Sequence, residues 1–162
     1  MKVSVHLKVN GQEHDIDVDS RSTLLEVLRE TLGLTSVHRS CEEGECGACT
    51  ILFNGEPVSS CLVLAAAADG AEILTTEGLK RGETLHPLME SFLEHHGLQC
   101  GFCTPGLLMT AYALIEKTNG GQITETEIRK GIEGNICRCT GYMNIVKAIQ
   151  AAMEARRAGN WW

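Results

Sequence analysis

Residues 40–50 read SCEEGECGACT, and three of them are cysteines: Cys41, Cys46 and Cys49. The spacing C-x4-C-x2-C is typical of plant-type [2Fe–2S] sites, whose fourth ligand arrives later in the chain. Cys61 follows Cys49 after eleven intervening residues and is the candidate for that ligand. These four cysteines therefore predict one iron–sulfur cluster, with Cys61 supplied by a strand that ends there.

The small residues of the same segment fit the charge of such a cluster. A [2Fe–2S] core held by four thiolates is anionic, and backbone N–H groups that converge on the sulfurs stabilise it. Gly44 and Gly47 allow the backbone to come close because they lack a side chain. The segment therefore predicts a loop whose amide groups face the sulfurs.

Four more cysteines lie in the second half of the chain, in the segments QCGFCTPG and GNICRCTGY. Each segment directly precedes a predicted helix, whose N-terminus carries partial positive charge and free N–H groups that suit an anionic cluster. The C-x-C pair is too tight for a usual zinc knuckle but can bind one iron. This second set of candidate ligands is Cys100, Cys103, Cys137 and Cys139.

Composition narrows the remaining possibilities. The 162-residue chain has 14 basic and 21 acidic residues, a formal net charge of −7, and no basic stripe, so nucleic acid is not an expected partner. No apolar run reaches the ~20 residues of a membrane helix, and the beginning of the sequence resembles no signal peptide. We therefore expect a cytoplasmic chain without membrane insertion, whose reduced thiols bind metal rather than form disulfides.

Residues 1–77 are predicted to form a small mixed sheet folded over one helix. Alternating apolar residues on both sides of Asn10-Gly11 predict a β-hairpin. Thr23 and Glu26 form a capping-box pattern at the start of a helix, and two or three further strands follow the cysteine loop.

Residues 84–162 are predicted to be helical, after a linker at 78–83. Four segments here have apolar residues that repeat at helical spacing, and each predicts a helix. Thr104 is the expected N-cap of the second of these helices. Gly97 is the predicted stop of the first one, which carries Leu93 on its apolar face. The third is predicted to follow an Asn-Gly-Gly break at 119–121 and to begin with a capping box of Thr124 and Glu127. The whole chain is therefore predicted to be α+β.

Together the motifs CEEGECGACT, QCGFCTPG and GNICRCTGY resemble the small iron–sulfur subunit of the molybdenum hydroxylases, the family of xanthine dehydrogenase and aerobic carbon monoxide dehydrogenase. The resemblance covers nearly the whole chain. It implies an N-terminal β-grasp, plant-type ferredoxin-like domain and an all-α, four-helix second domain, each with one [2Fe–2S] cluster.

The resemblance also implies partners and a function. The chain would carry electrons from a molybdenum–pterin cofactor on a large subunit through both clusters to FAD on a medium subunit, within a dimer of heterotrimers. Gln99 and Cys139 would lie against the pterin, and the segment EGEC resembles the branch of the family that passes electrons to flavin. The large subunit would select the substrate, and this chain alone would not catalyse the reaction.

Two alternatives belong to other functional classes. A free-standing two-cluster ferredoxin would use the same cysteines, but a simple plant-type ferredoxin lacks the helical half. A zinc-binding interaction module would also use eight cysteines, but zinc sites usually pair C-x2-C with C-x2-C or with histidines.

Overall fold

The computed structural model describes residues 1–119 and 121–162, and its first half is built on one five-stranded sheet. The strand order is β2-β1-β5-β3-β4. The β1–β5 pair is parallel and the other neighbours are antiparallel, so the sheet is mixed, as predicted. The strands are β1 (Lys2–Val9), β2 (Gln12–Asp19), β3 (Thr50–Phe53), β4 (Glu56–Ser59) and β5 (Glu72–Leu74).

The hairpin of β1 and β2 turns at Asn10-Gly11, as predicted. Both residues have positive φ, 51° and 80°, as a type I′ turn requires. Val5, Leu7 and Val9 alternate along β1 and are buried on one face of the sheet. The local turn therefore sets the register that sends these side chains into the core.

A short helix covers that face. It begins with the predicted capping box of Thr23 and Glu26, runs as α1 (Leu24–Glu26), and continues as a π-helical turn over Val27–Thr31. The predicted uniform α-helix is therefore wrong in its second turn, where the N–H of Leu32 donates to the Val27 carbonyl over the wider π spacing.

Four longer helices follow in the second half of the chain. They share one core of buried aliphatic side chains and Phe92. The predicted capping box of Thr124 and Glu127 starts the third of them, and Gly120 of the predicted Asn-Gly-Gly break lies outside the described residues. In neither described range is a helix both long and apolar enough to cross a membrane. The helices are α2 (Pro87–Glu94), α3 (Thr104–Thr118), α4 (Glu125–Gly131) and α5 (Met143–Arg157).

Three details at the helix ends differ from the prediction. The N-cap of α3 is Cys103 and not Thr104, whose buried hydroxyl has no hydrogen-bond partner. The left-handed residue after α2 is His96, with φ of 53°, while a Cβ at Gly97 would lie 3.1 Å from Phe92, closer than an ordinary contact. Leu93 is 52% exposed, since the inner face of α2 is already filled by its neighbours along the helix.

The helix α3 packs against the sheet. Leu52 of β3 shares a buried cluster with Met109 and Ala113 of α3, and Leu79 completes it. Consecutive residues of β3 point to opposite faces, so Ile51 enters the core under α1 while Leu52 contacts α3. This packing brings the segments before α3 and α5 beside the cysteine loop that precedes β3.

The carboxylate of Glu77 holds the segment after β5 against the sheet domain. It accepts hydrogen bonds from the Ser36 N–H (2.9 Å), the Ser36 hydroxyl and the Thr75 hydroxyl (2.6 Å). Half-burial alone would raise the pKa of Glu77, but these donors outweigh it and hold the pKa below its usual value of 4.5.

Glu77→Gln should lower the free energy of unfolding by about 1 kcal/mol at pH 7, because the donors lose a charged acceptor. The carboxylate stabilises the fold above pH 4.5, and this contribution is lost as the pH falls through the lowered pKa of the folded state. The difference between variant and wild type should therefore shrink in acid. Denaturant unfolding at several pH values measures it, with exposed Glu83→Gln as control; equal losses in both variants would contradict the assignment.

Candidate metal centres

The first cysteine loop surrounds the Cys41 sulfur with backbone amides. The N–H of Glu43 points at this sulfur from 3.5 Å. Hydrogen bonds from the amides of Glu43, Cys46 and Glu45 and from the Cys46 thiol lower the pKa of Cys41 to about 7, although burial opposes them. A thiol of low pKa is readily deprotonated, and the thiolate is the form that binds metal.

Left-handed backbone conformations turn the amides of this loop inward. Glu42, Gly44 and Gly47 have φ of 58°, 80° and 68°. The amide of Gly44 donates to the sulfur of Cys61, so the loop serves a second cysteine as well. A Cβ on Gly47 would lie 2.4 Å from the carbonyl oxygen of Gly134, which explains the need for glycine. The predicted close approach of backbone to sulfur is therefore present.

Cys61 lies in a short 3-10 turn, Ser60–Leu62, directly after β4 ends at Ser59. The prediction that a strand carries this cysteine is therefore wrong, because Cys61 lies in the turn that follows the strand. Ser60 holds this turn in place, because its N–H (3.3 Å) and its hydroxyl (2.8 Å) both donate to the Cys49 carbonyl. Cys61 is thereby held beside Cys49. Burial and then the neighbouring Cys49 thiol raise the pKa of Cys61 to about 11.

The second quartet lies at the N-termini of α3 and α5. Cys103 is the N-cap of α3, and burial, followed by contact with Cys137, raises the pKa of its thiol to about 12. Cys100 and Cys139 are exposed, with their sulfurs 3.5 Å apart. The hydrogen bond with Cys100 raises the pKa of Cys139.

All eight thiols are free and associate two by two: Cys41 with Cys46, Cys49 with Cys61, Cys100 with Cys139, and Cys103 with Cys137. The two sulfurs of the C-x-C segment thus lie in different pairs. The physical reason is their orientation, because Cys137 faces the helical core while Cys139 faces solvent. Across the described ranges, no group of three or more His, Cys, Asp or Glu side chains is arranged to hold a single metal ion.

Cys137 sits in a tightly bonded turn. Its N–H donates to the Tyr142 hydroxyl (2.8 Å), which in turn donates to the Asn135 carbonyl (3.1 Å). Its sulfur is 3.1 Å from the Thr140 hydroxyl. Burial raises the pKa of Cys137, but the hydrogen bonds led by that of Thr140 outweigh it and lower the pKa overall.

The two cysteine regions contact each other directly. The N–H of Ile136 donates to the Cys46 carbonyl over 2.9 Å, and the amide of Asn135 donates to the Gly47 carbonyl over 3.0 Å. On the other side, the His38 ring donates to the Phe102 carbonyl over 2.7 Å. The two quartets therefore face each other across these hydrogen bonds. We call the contact made by Cys46 and Gly47 with Asn135 and Ile136 the seam.

The donors present fit a [2Fe–2S] cluster in each region. Each iron of such a cluster takes two thiolates, which matches thiols grouped in pairs. Backbone amides face the first quartet, and glycines without room for a side chain line its loop.

Several residues that position the sites were not singled out from the sequence. Asn135, Thr140 and Tyr142 are examples, although all three lie inside GNICRCTGY. The signals available in the sequence were an asparagine two residues before Cys137 and a hydroxyl three residues after it. Gln99, predicted to contact a pterin, is exposed directly beside Cys100.

Known families match both halves. Residues 7–76 match a "2Fe-2S iron-sulfur cluster binding domain" and residues 75–150 a "[2Fe-2S] binding domain". The caffeine dehydrogenase subunit gamma of Pseudomonas sp. (strain CBB1) is 53% identical over 148 residues, covering 91% of this chain and 89% of that one. The nicotinate dehydrogenase small FeS subunit of Eubacterium barkeri is 45% identical over 153 residues, covering 94% and 96%.

Solved structures show the same relationship. The quinoline 2-oxidoreductase of Pseudomonas putida 86 superposes with a TM-score of 0.92 at 44% identity, covering 98% of each chain. The chain therefore belongs to the family of small iron–sulfur subunits of the molybdenum hydroxylases. Members of this family transfer electrons within oxidoreductases and work beside larger partner subunits.

Gly106→Ala should destabilise the seam. A Cβ there would lie 2.1 Å from the backbone oxygen of Gly47, so the two cysteine regions would have to separate. We expect a loss of about 1–3 kcal/mol in the free energy of unfolding and faster hydrogen exchange at the Ile136 amide.

Gly134→Ala is the matched control, because a Cβ at Gly134 meets no atom within 4 Å. Denaturant unfolding and hydrogen exchange of both variants make the comparison. Equal stability of the two variants would show that the close contact at Gly106 is not required.

Proposed function

We propose that this chain carries electrons from a molybdenum–pterin cofactor on a large subunit, through two [2Fe–2S] clusters of its own, to FAD on a medium subunit. The observation that carries the proposal is the pair of thiol quartets, each grouped two by two and joined by the seam between them. When bound, each cluster supplies one-electron storage.

The ligands of the first cluster in this proposal are Cys41, Cys46, Cys49 and Cys61, and those of the second are Cys100, Cys103, Cys137 and Cys139. The two-by-two grouping favours a binuclear cluster over a single zinc ion, which needs four ligands around one point. The helical half, with its own quartet, favours an electron-transfer subunit over a free-standing plant-type ferredoxin.

The chain offers a short route between the quartets. The Cys46 carbonyl accepts the hydrogen bond of the Ile136 N–H, and Ile136 is covalently bonded to Cys137. One hydrogen bond thus connects a proposed ligand of the first cluster to a proposed ligand of the second. A continuous path through bonded atoms couples redox centres better than a gap filled with solvent.

The chain divides, in this proposal, into a β-grasp, plant-type ferredoxin-like domain at 1–77, a linker at 78–83 and a four-helix domain at 84–162. The separate buried cores of the two halves and the change of matched family near residue 75 support the division. Leu79 lies within this linker and is buried against α3, so the start of the linker is packed in place.

The second quartet would face the large subunit. Cys100 and Cys139 are exposed, and apolar Phe102, Ile136 and Met143, close to them in sequence, are 47%, 57% and 62% exposed. Burial of these side chains against the large subunit would remove their apolar surface from water. The assembly would be a dimer of heterotrimers, and a cytoplasmic location remains the prediction of the sequence.

The large subunit would select the substrate. Similar relatives of this chain belong to a caffeine dehydrogenase and a nicotinate dehydrogenase, whose names indicate different substrates. Small subunits with much the same sequence therefore serve different reactions, as expected of a chain that only carries electrons.

The complex should contain, per copy of this chain, about four irons and four labile sulfides in two [2Fe–2S] clusters. Reduction with dithionite should give two distinct EPR signals from these clusters. Elemental analysis, sulfide determination and EPR of the anaerobically purified complex are the measurements. Zinc in place of iron and sulfide would refute the proposal.

Single-ligand variants assign the signals. Cys46→Ser should remove one EPR signal and Cys137→Ser the other, because the two residues belong to different quartets. Loss of both signals in either folded variant would show that the quartets do not act as separate sites.

Gln99→Ala should slow the reduction of the clusters by substrate but not their reduction by dithionite. In this proposal its amide hydrogen-bonds the pterin, and a lost bond of this kind costs on the order of 1 kcal/mol. Stopped-flow absorbance of the assembled complex measures both rates. Gln122→Ala, also at an exposed glutamine, is the control; equal substrate-driven rates in the two variants would remove Gln99 from the pterin site.

A further inference from the structure

We propose that the hydroxyl of Thr140 donates a hydrogen bond to the Cys137 sulfur and raises the reduction potential of the second cluster. This inference rests on the proposed function, because it requires Cys137 to be a cluster ligand. It makes Thr140 a positioning and tuning residue for electron transfer, whose own side chain takes no part as a ligand.

The direction of this hydrogen bond follows from its partners. The Thr140 oxygen lies 3.1 Å from the Cys137 sulfur and also 3.1 Å from the N–H of Tyr142. The Tyr142 amide can only donate, so the oxygen accepts from it. A ligating cysteine has lost its proton and can only accept, so the hydroxyl proton of Thr140 goes to the sulfur.

The turn that carries Thr140 is held from several sides. Gly141 and Tyr142 have φ of 63° and 67°, and a left-handed conformation is uncommon for a tyrosine. The Tyr142 hydroxyl bridges the Cys137 N–H and the Asn135 carbonyl, which offsets the cost of that conformation. These bonds keep the Thr140 hydroxyl within reach of the sulfur.

The arrangement distinguishes the two quartets. Among the described residues, the structure shows a side-chain hydroxyl bonded to a cysteine sulfur only at Cys137, whereas the sulfur of Cys41 is served by backbone amides and by the Cys46 thiol. Side-chain substitution can therefore alter the second site while leaving the first as an internal reference.

The electrostatic consequence has a definite sign. Reduction adds one negative charge to the cluster and its thiolates, and a donor to sulfur stabilises the more negative state. The Thr140 hydroxyl thus makes the second cluster a better electron acceptor. In the proposed sequence of transfer this cluster is the first to receive electrons from the pterin.

Three substitutions separate the donor role of Thr140 from its role in the turn. Thr140→Ser keeps the hydroxyl and should keep the potential. Thr140→Asp keeps an oxygen that accepts from the Tyr142 N–H but places a carboxylate beside the sulfur, so the potential should fall. Thr140→Val removes both the hydrogen bond to the Cys137 sulfur and the one from the Tyr142 N–H. Thr118→Val, which deletes a hydroxyl bonded to the Ile115 carbonyl within α3, is the matched control.

The measurement is an EPR-monitored redox titration of the purified complex, with the two signals assigned by the Cys46→Ser and Cys137→Ser variants. For Thr140→Val and Thr140→Asp, the ratio of reduced to oxidised second cluster at a fixed potential should fall at least about tenfold, or about 59 mV for a one-electron couple. The reduction potential of the first cluster should not change.

Unchanged potentials in Thr140→Val and Thr140→Asp would overturn this inference but not the proposed function, since both clusters would still be present. Equal shifts in both clusters, or a shift of the same size in Thr140→Ser, would overturn it as well. A wild-type complex without two [2Fe–2S] signals would overturn the proposed function and this inference together.

Discussion

The carbonyl group of Gly47 lies at a contact that joins the two halves of the molecule beside the cysteine loops. It accepts hydrogen bonds from the Thr50 N–H (3.2 Å), the Thr50 hydroxyl (2.7 Å) and the buried Asn135 side chain (3.0 Å). Gly106 lies so close to it that no side chain fits between them. Because Gly47 directly follows Cys46, this contact holds the first cysteine loop close to the segment before α5.

The two quartets meet different physical environments although both consist of thiols. The first lies in a loop of left-handed turns, whose amides reach the sulfurs and lower the pKa of Cys41. The second lies at helix N-termini, where Cys103 is half-buried while Cys100 and Cys139 are exposed. Two clusters built from the same ligands would therefore have different potentials.

Local patterns predicted most elements because their causes are local. The Asn10-Gly11 turn and the capping boxes at Thr23 and Thr124 each depend on residues within one turn of the chain, and all three are present. Errors occurred where packing decides the geometry. Cys61 takes a 3-10 turn because Ser60 bonds to the Cys49 carbonyl, and Cys103 rather than Thr104 caps α3.

The sequence by itself determined that eight thiols form two groups, one in each half of an α+β chain, and which family they indicate. The spacing of the cysteines along the chain carries that information, because the motifs can be identified without knowing how their sulfurs pair. Only the tertiary structure decided which thiols pair and how the groups meet. Cys137 pairs with Cys103 rather than with Cys139. The Ile136 N–H donates a hydrogen bond to the Cys46 carbonyl, ninety positions earlier in the chain (136 − 46). Both contacts form because the packing of α3 on β3 brings these distant segments together.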